Sequence, residues 1–218
     1  MTLLVEKKLE DAFIGVMTVR NVDIAASIPL LESRLTAILS ERKNPLNENE
    51  EGIRQSVRKM LRRGVYRPTG RSKPASEYLI RAATKESFPR INCAVDVINY
   101  LSLKYLVPIS LWDTDLAQSE QYTFRLGNED EKYVFNHGGQ EIKLHDLITG
   151  FSIRDEVEQA IVNPVKDSLA TKTTSESRNV AMAIYYPFAD HSVLQTILRE
   201  FSELMQHVGE VSDHHVIC

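Results

Sequence analysis

The chain has 218 residues, 43% of them hydrophobic, and a formal net charge of −4 at pH 7. This size and composition predict one domain spanning residues 1–218, with an ordinary hydrophobic core. No apolar run is long enough to cross a bilayer, and the start, MTLLVEKKLED, is not typical of a signal peptide. We therefore expect a cytoplasmic protein without a membrane partner.

Metal, disulfide and cofactor chemistry are not expected. The two cysteines, Cys93 and Cys218, show neither C-x-x-C spacing nor the spacing of metal ligands. Asp113 and Asp115 form an acidic corner without a third ligand at a fixed spacing, so hydrogen bonding within a loop explains them better than a metal site. The sequence therefore predicts no metal, no cofactor and no structural disulfide.

The first third of the chain predicts a strand followed by two helices. Residues 13–20, FIGVMTVR, are rich in branched and aromatic side chains and are predicted to form a strand. Residues 28–42 alternate apolar and polar side chains with the period of a helix, which we expect to pack on the sheet. After a loop in which Asn47 and Glu50 have the spacing of a helix cap, a second helix is predicted over residues 53–63.

A basic stretch overlaps this second helix. Residues 54–73 contain eight basic side chains and no acidic one, although the whole chain is acidic. Such positive charge would attract a phosphate backbone, and Tyr66 among the arginines could stack on an unpaired base. The alternative is that these cations only form a solvated outer face of the helix. The residues that we expect to contact RNA are Arg58, Arg62, Arg63, Arg67, Arg71 and Lys73.

Two further helices are predicted before the middle of the chain. The first covers residues 75–84, where Glu77 and Arg81 are four residues apart and are expected to form an ion pair. The second is a buried central helix over residues 92–107, which a proline ends before a short strand at residues 109–112.

Polar side chains line one face of the predicted central helix. Asn92, Asp96, Asn99 and Ser102 follow one another at spacings of four, three and three, which puts them on one side of a helix. A buried carboxylate without a partner is costly. Asp96 is therefore either hydrogen-bonded within the fold or faces a wet pocket, and the sequence leaves both alternatives open.

Short strands dominate the part of the chain after residue 115. Residues 137–139 have the glycines of a hairpin turn. The segment 163–179 is rich in hydroxyl groups and is either a surface turn or a loop that carries a site. A last helix is predicted at residues 192–207, followed by a frayed tail at residues 209–218. The predicted strands are residues 122–126, 132–136, 140–144, 148–153, 160–162 and 180–186.

Residues 91–115, INCAVDVINYLSLKYLVPISLWDTD, resemble the B3/B4 module of the β subunit of bacterial phenylalanyl-tRNA synthetase. In that module an asparagine, a Val-Asp pair, a second asparagine, a proline and an aromatic residue followed by Asp recur in this order. Residues 71–81, RSKPASEYLIR, and residues 163–180, NPVKDSLATKTTSESRNV, resemble neighbouring parts of stand-alone versions of the module. The resemblance is strongest over residues 64–188, and it implies an α+β fold, a layered β-sheet sandwich flanked by helices. The matching positions are Asn92, Val95 with Asp96, Asn99, Pro108, and Trp112 with Asp113.

The resemblance implies an editing domain, which hydrolyses the ester that links a wrong amino acid, chiefly tyrosine, to the tRNA for phenylalanine. The expected partner is tRNA or aminoacyl-tRNA, and a stand-alone module would act in trans. Ester hydrolysis needs a positioned water, polar groups that hold the ribose and the ammonium group, and donors for the oxyanion. The candidate catalytic residues are Asp96, Lys172 and Thr171. The candidate substrate-binding residues are Asn92, Asn99, Ser110, Trp112, Asp113, Asp167, Ser168 and Thr174.

Two positions depart from the synthetase pattern. Ser110 stands where the synthetase has a histidine, and Ala183 stands where it has the glutamate that reads the tyrosine hydroxyl. The sequence therefore favours either the editing of a different ester or a non-catalytic module that binds RNA or an amino acid derivative. No synthetase core fits in 218 residues, so we expect no amino acid activation, and the oligomeric state is not predicted.

Overall fold

The computed structural model describes residues 3–217, and of residues 212–217 it describes the backbone only. The described residues form a mixed α+β fold, which confirms the predicted fold class. The helices are α1 (Pro29–Glu41), α2 (Glu48–Leu61), α3 (Ala75–Thr84), α4 (Cys93–Tyr105), α5 (Thr114–Ala117) and α6 (Ser192–Met205). The strands are β1 (Leu4–Lys7), β2 (Phe13–Arg20), β3 (Ile109–Asp113), β4 (Gln121–Leu126), β5 (Lys132–Val134), β6 (Glu141–Lys143), β7 (Ile148–Arg154), β8 (Val157–Val162), β9 (Val180–Tyr186) and β10 (Glu210–Ile217).

Two four-stranded sheets and one hairpin organise these strands. The central sheet has the order β10-β2-β9-β3 and is antiparallel throughout. Every residue of β9, VAMAIYY, is buried, as its unbroken apolar sequence requires of a strand that is covered on both faces. The second sheet has the order β1-β4-β7-β8, with β1 parallel to β4 and the other pairs antiparallel. Among the described residues, strands β5 and β6 form a separate two-stranded antiparallel sheet.

The central sheet is the middle of three layers. Helix α6 lies so close to one face that a Cβ on Gly15 of β2 would come within 2.8 Å of the Leu194 side chain. Aromatic rings join the other face to the second sheet, since the Trp112 ring centroid of β3 lies 5.2 Å from that of Tyr122 in β4. The predicted layered sheet sandwich flanked by helices is therefore confirmed.

Helix α4 begins and ends where its sequence dictates. The Asn92 side chain caps the helix by accepting a hydrogen bond of 3.0 Å from the Val95 amide. Leu106 takes a left-handed conformation with φ 61° at the other end, and Pro108 cannot continue a helix. The buried Ser102 hydroxyl donates to the Val107 carbonyl at 2.7 Å and so holds the turn that leads into β3.

Some predicted boundaries and contacts are wrong. Helix α2 begins at Glu48 rather than at residue 53, because the Asn47 side chain and the Glu50 side chain form a reciprocal capping box there. The predicted pair between Glu77 and Arg81 does not form. Glu77 instead accepts hydrogen bonds of 2.5 and 2.6 Å from Arg58, which reaches it from α2.

The two ends of the chain are more regular than the sequence predicts. The tail that was expected to fray contains β10, which pairs with β2 along an edge of the central sheet. Strand β1 was not predicted, and it adds a parallel edge to the second sheet. Cys218 lies outside the described residues. No helix among the described residues is long and apolar enough to cross a membrane.

Candidate functional site

The N-terminal end of α4 opens onto a pocket of about 560 Å³, which we call the α4 pocket. Asn92 and Asp96 line it from the helix, and Thr173 and Thr174 line it from the hydroxyl-rich loop. The loop at residues 24–28 closes the third side. The structure thus brings part of the polar helix face and part of the threonine-bearing loop together.

Asp96 is already fully engaged within this pocket. Its Oδ2 accepts a hydrogen bond of 2.8 Å from Arg90 Nε, and its Oδ1 accepts one of 2.8 Å from the Ile91 amide. Arg90 also pairs with Glu32 of α1, and the hydrogen bonds from Arg90 to Glu32 and Asp96 raise the pKa of Arg90. Asp96 therefore has partners within the fold and also lines the pocket, so the two alternatives for it are not exclusive. A substrate ammonium group would have to compete with Arg90.

The rest of the polar helix face does not line the α4 pocket. Asn92 both caps the helix and donates through Nδ2 to the Thr173 hydroxyl at 3.1 Å. Asn99 is half-buried, and Ser102 is buried further along α4; neither residue lines this pocket. The helical spacing puts the four residues on one face of α4, but of these four only Asn92 and Asp96 line the α4 pocket.

A second group of polar side chains lies between β3, β9 and the loop after β8, and we call it the Asp167 cluster. The Ser110 hydroxyl donates to the Asn163 carbonyl at 3.0 Å and lies 3.2 Å from the Tyr185 hydroxyl. The Tyr133 hydroxyl accepts from Asn163 Nδ2 at 2.5 Å. Burial raises the pKa of Tyr133 and Tyr185 well above 10.0, so both hydroxyls keep their protons. The cluster consists of Ser110, Tyr133, Asn163, Asp167 and Tyr185.

Asp167 is the ionisable group of this cluster. Its Oδ2 accepts a hydrogen bond of 3.3 Å from the Leu111 amide, but its Oδ1 is buried and has no partner among the described residues. Burial raises the pKa of Asp167 to about 6, because removal from water penalises the charged form. The Thr171 hydroxyl, four residues on, is likewise buried without a partner in the described part of the chain.

Unpaired buried polar atoms are rare in folded proteins, since each costs free energy. Two of the five such side-chain atoms in the described part of the chain, Asp167 Oδ1 and Thr171 Oγ1, lie on one loop. A carboxylate with a pKa near 6 can change its protonation at neutral pH, so it can accept a proton or hold a cation.

The two positions that depart from the synthetase pattern lie side by side. Ser110 of β3 is directly opposite Ala183 of β9 in the antiparallel register, so their side chains share one face of the sheet. Tyr185, two residues further along β9, lies on that same face and reaches Ser110. The Asp167 cluster is therefore built around the altered positions.

Several other candidate residues hold the fold. Trp112 is fully buried, and Asp113 caps α5 by accepting from the amides of Asp115 and Leu116 at 2.8 and 2.9 Å. The Ser168 side chain accepts from the Ala170 amide at 3.3 Å. Lys172 Nζ donates to the Phe135 carbonyl. The acidic corner is thus explained by loop hydrogen bonds, and no metal-binding group of three side chains occurs among the described residues.

Some cations of the basic stretch form an ion pair with a carboxylate and others do not. We call the cations without such a pair uncompensated. Arg58 is neutralised by Glu77. In the described part of the chain, the hydrogen bonds of Arg63 and Arg67 go to backbone carbonyls. Arg62 and Arg71 are exposed. Among the described residues, no carboxylate forms an ion pair with the cations at positions 62, 63, 67, 71 and 73.

Sequence reasoning missed three members of the Asp167 cluster. Tyr133 and Tyr185 lie in strands that were predicted, but the sequence around each of them is typical of a tyrosine in a hydrophobic core. Asn163 follows β8 and accepts through Oδ1 from the amides of Val165 and Lys166 at 2.8 and 2.9 Å. An asparagine before Pro164 at the end of a buried strand is a turn signal that could have drawn attention to it.

The chain is similar to a protein family and to a solved structure. The family model described as the B3/4 domain matches residues 58–199. Among solved structures, the chain resembles an N-terminal fragment of the phenylalanyl-tRNA synthetase beta subunit from Pyrococcus horikoshii, with a TM-score of 0.47 and 12% sequence identity. That match covers 96% of this chain and 50% of the other, so the chain spans about half the length of that fragment. No curated protein matches the sequence.

Proposed function

Because this chain belongs to the B3/4 domain family, we propose that it is a synthetase-related module that binds tRNA and receives the aminoacylated 3′ end at the Asp167 cluster. The uncompensated cations of residues 62–73 support contact with a phosphate backbone, since each phosphate that is neutralised releases counterions. No carboxylate among the described residues forms an ion pair with these cations, so no carboxylate there competes with an RNA for them.

The observation that carries this proposal is the pair of unsatisfied polar atoms, Asp167 Oδ1 and Thr171 Oγ1. An aminoacyl ester offers the groups that such atoms would bind, namely an ammonium group and ribose hydroxyls. The α4 pocket supports this function less well, because Arg90 and the Ile91 amide already occupy both oxygens of Asp96.

We propose more specifically that the module hydrolyses a mischarged aminoacyl-tRNA in trans. Asp167, with its pKa raised to about 6 by burial, would take the proton from an attacking water as a general base. Lys172 and Thr171, on the same loop, would donate to the developing oxyanion or to the ribose. Editing by a second site is needed where a binding pocket cannot reject a near-isostere.

A second candidate function is binding without catalysis. Ser110 and Ala183 replace an imidazole and a carboxylate of the synthetase pattern and lie opposite each other, so one region loses two reactive groups at once. The Lys172 ammonium group is also held by the Phe135 carbonyl. Both observations support a module that holds RNA or an amino acid derivative and leaves it intact.

A deacylation assay over a panel of mischarged tRNAs separates the two functions. We expect wild-type protein to release the amino acid from at least one of them, and Asp167→Asn to lower the rate by about 100-fold, the range of a lost general base. Lys172→Ala should lower it less. Asp130→Asn, which removes an exposed carboxylate, is the matched control and should react like wild type.

The parameter that changes identifies the role of Asp167. If Asp167 is the base, Asp167→Asn lowers kcat; if Asp167 binds the ammonium group, the variant raises KM at nearly constant kcat. No release from any charged tRNA, with tRNA still bound, would leave the non-catalytic module. No binding of charged or uncharged tRNA would contradict the proposed function as a whole.

A further inference from the structure

A groove of about 960 Å³ lies on the surface, and Lys166, the chain neighbour of Asp167, is part of its lining. One wall is the loop after α2, with Arg67, Arg71 and Tyr78 of the following helix, and the other wall is the β5–β6 hairpin. Lys166 closes its end from the loop after β8. We call it the cationic groove and define it by Arg67, Arg71, Tyr78, Phe135, Lys143 and Lys166.

The charge of the groove is one-sided. Its lining carries four basic side chains, Arg67, Arg71, Lys143 and Lys166, but one carboxylate, Glu141, which is paired with Lys132 at 2.9 Å. Within the described residues, none of these four cations forms an ion pair. Most exposed cations on protein surfaces have carboxylates interspersed among them, so this groove is suited to an anionic ligand.

Lys166 shows most clearly that the groove is crowded with positive charge. Its Nζ lies 3.9 Å from the ring centroid of Phe135, and Lys172 donates to the backbone carbonyl of that same phenylalanine. Burial, followed by repulsion from Arg71 and Lys172, lowers the pKa of Lys166. A phosphate placed among these groups would relieve the repulsion that they exert on one another.

The walls of the groove are held in place before any ligand arrives. The Asp146 carboxylate accepts from the Val65 amide at 2.6 Å, and this close approach requires Gly64, where a Cβ would lie 1.9 Å from Asp146 Oδ2. The hydroxyl of Tyr66 donates to the Ser72 carbonyl at 2.7 Å and so fixes the turn that carries Arg71. A site that is already formed loses little conformational entropy on binding.

We propose that the cationic groove binds the phosphodiester backbone of the single-stranded 3′ end of tRNA and leads it to the Asp167 cluster. This assignment rests on the proposed function. Lys166 lines the groove, and its carbonyl accepts a hydrogen bond of 2.7 Å from the Tyr133 hydroxyl of the cluster, so the two sites are connected. A basic groove with aromatic side chains in its lining is the usual arrangement for an unpaired strand.

Equilibrium binding of a tRNA transcript, with and without its single-stranded 3′ end, tests this assignment. We expect Arg71→Ala and Lys166→Ala each to weaken binding of the intact transcript about fivefold and to reduce the slope of log affinity against log salt by about 0.7, the value for one contact with a single strand. Truncation of the 3′ end should weaken wild-type binding and remove most of the difference between wild type and these variants.

Two matched variants control for the loss of charge and for folding. Arg199→Ala removes an exposed arginine from α6, and Lys85→Ala removes an exposed lysine after α3; neither lines the groove, and both should bind within twofold of wild type. Thermal unfolding of all four variants checks that each is folded. If Lys166→Ala is unstable, Arg71→Ala still tests the assignment, because Arg71 lies on an exposed turn.

The outcomes separate the two claims. If Arg71→Ala and Lys166→Ala bind tRNA with the affinity and the salt dependence of wild type, the groove assignment is overturned and the proposed function still stands. Equal weakening of intact and truncated tRNA would place duplex RNA in the groove and would also overturn the assignment. Absence of wild-type binding would overturn the proposed function, and the assignment with it.

Discussion

Asp167 is the residue whose ionisation links the candidate site to stability. Burial raises its pKa from 3.8 to about 6, so between these values the folded state keeps a proton that the unfolded state has lost. The folded state binds more protons there, and the contribution of Asp167 to the free energy of unfolding is therefore present below pH 4 and is lost as pH rises through about 6.

Asp167→Asn should remove this dependence. We expect the variant to be more stable than wild type at pH 7 by roughly 3 kcal/mol, the free energy of a two-unit pKa difference, and the gap to close near pH 4. Urea unfolding of both proteins from pH 4 to 8 measures it. A stability difference that does not vary with pH would contradict the raised pKa of Asp167.

At the same scale, the sequence drew attention to polar residues but could not identify their partners in the fold. Asp96 was recognised as a carboxylate that needs a partner, and the partner proved to be Arg90, six residues earlier in a loop. No periodicity connects those two positions. Asp167 and Ser110 were predicted from the resemblance, but Tyr185 joins them only because β9 pairs with β3, and strand pairing is a long-range property.

Among the secondary-structure elements, Glu200 of α6 is the main polar connection to α4. Its carboxylate accepts hydrogen bonds of 2.7 Å from Tyr100, Tyr105 and Lys104, and Arg34 of α1 lies 3.2 Å away. Burial alone would raise the pKa of Glu200, but the hydrogen bonds from Lys104, Tyr100 and Tyr105 outweigh it and lower the pKa. Three helices are thus tied together at one carboxylate.

Glu200→Ala should destabilise the protein by about 3 kcal/mol, because it leaves buried donors without an acceptor. Since the folded-state pKa of Glu200 is lowered, this contribution should be present above pH 4.5 and be lost as pH falls below it. Thermal and urea unfolding measure both effects. Glu203→Ala, in which a half-exposed carboxylate of the same helix loses its pair with Arg34, should cost less than about 1 kcal/mol. If Glu200→Ala and Glu203→Ala lower the free energy of unfolding equally, Glu200 is not the main polar connection between the helices.

Helices and strands were largely predictable, because each depends on local periodicity. Residues 13–20 were predicted as a strand and form β2 within the same limits. Glu200 was not singled out, although it shares its helix face with Ile197 and Leu204, which the 3.6-residue period could have revealed. Strands β1 and β10 were missed because their sequences are polar and only pairing with β4 and β2 makes them strands.

For the whole molecule, the layered α+β architecture was predictable through the resemblance, whereas the order of the strands was not. Side chains from β3, β5, β9 and the loop after β8 meet in the Asp167 cluster. The cationic groove likewise combines residues 67 and 71 with residues 143 and 166, which lie far apart in the chain. The basic stretch was visible in the sequence, but Lys143 and Lys166 extend it only after folding.

The most direct test of the central claim, that this module binds tRNA through its uncompensated cations, is a salt titration of wild-type protein with tRNA. We predict binding at about 50 mM salt, with an affinity that falls linearly on a log-log scale with a slope of about −2 to −4, as expected for three to five phosphate contacts. An equimolar acidic polysaccharide should compete weakly, because it lacks the unpaired 3′ end. No binding at low salt, or an affinity independent of salt, would contradict the account.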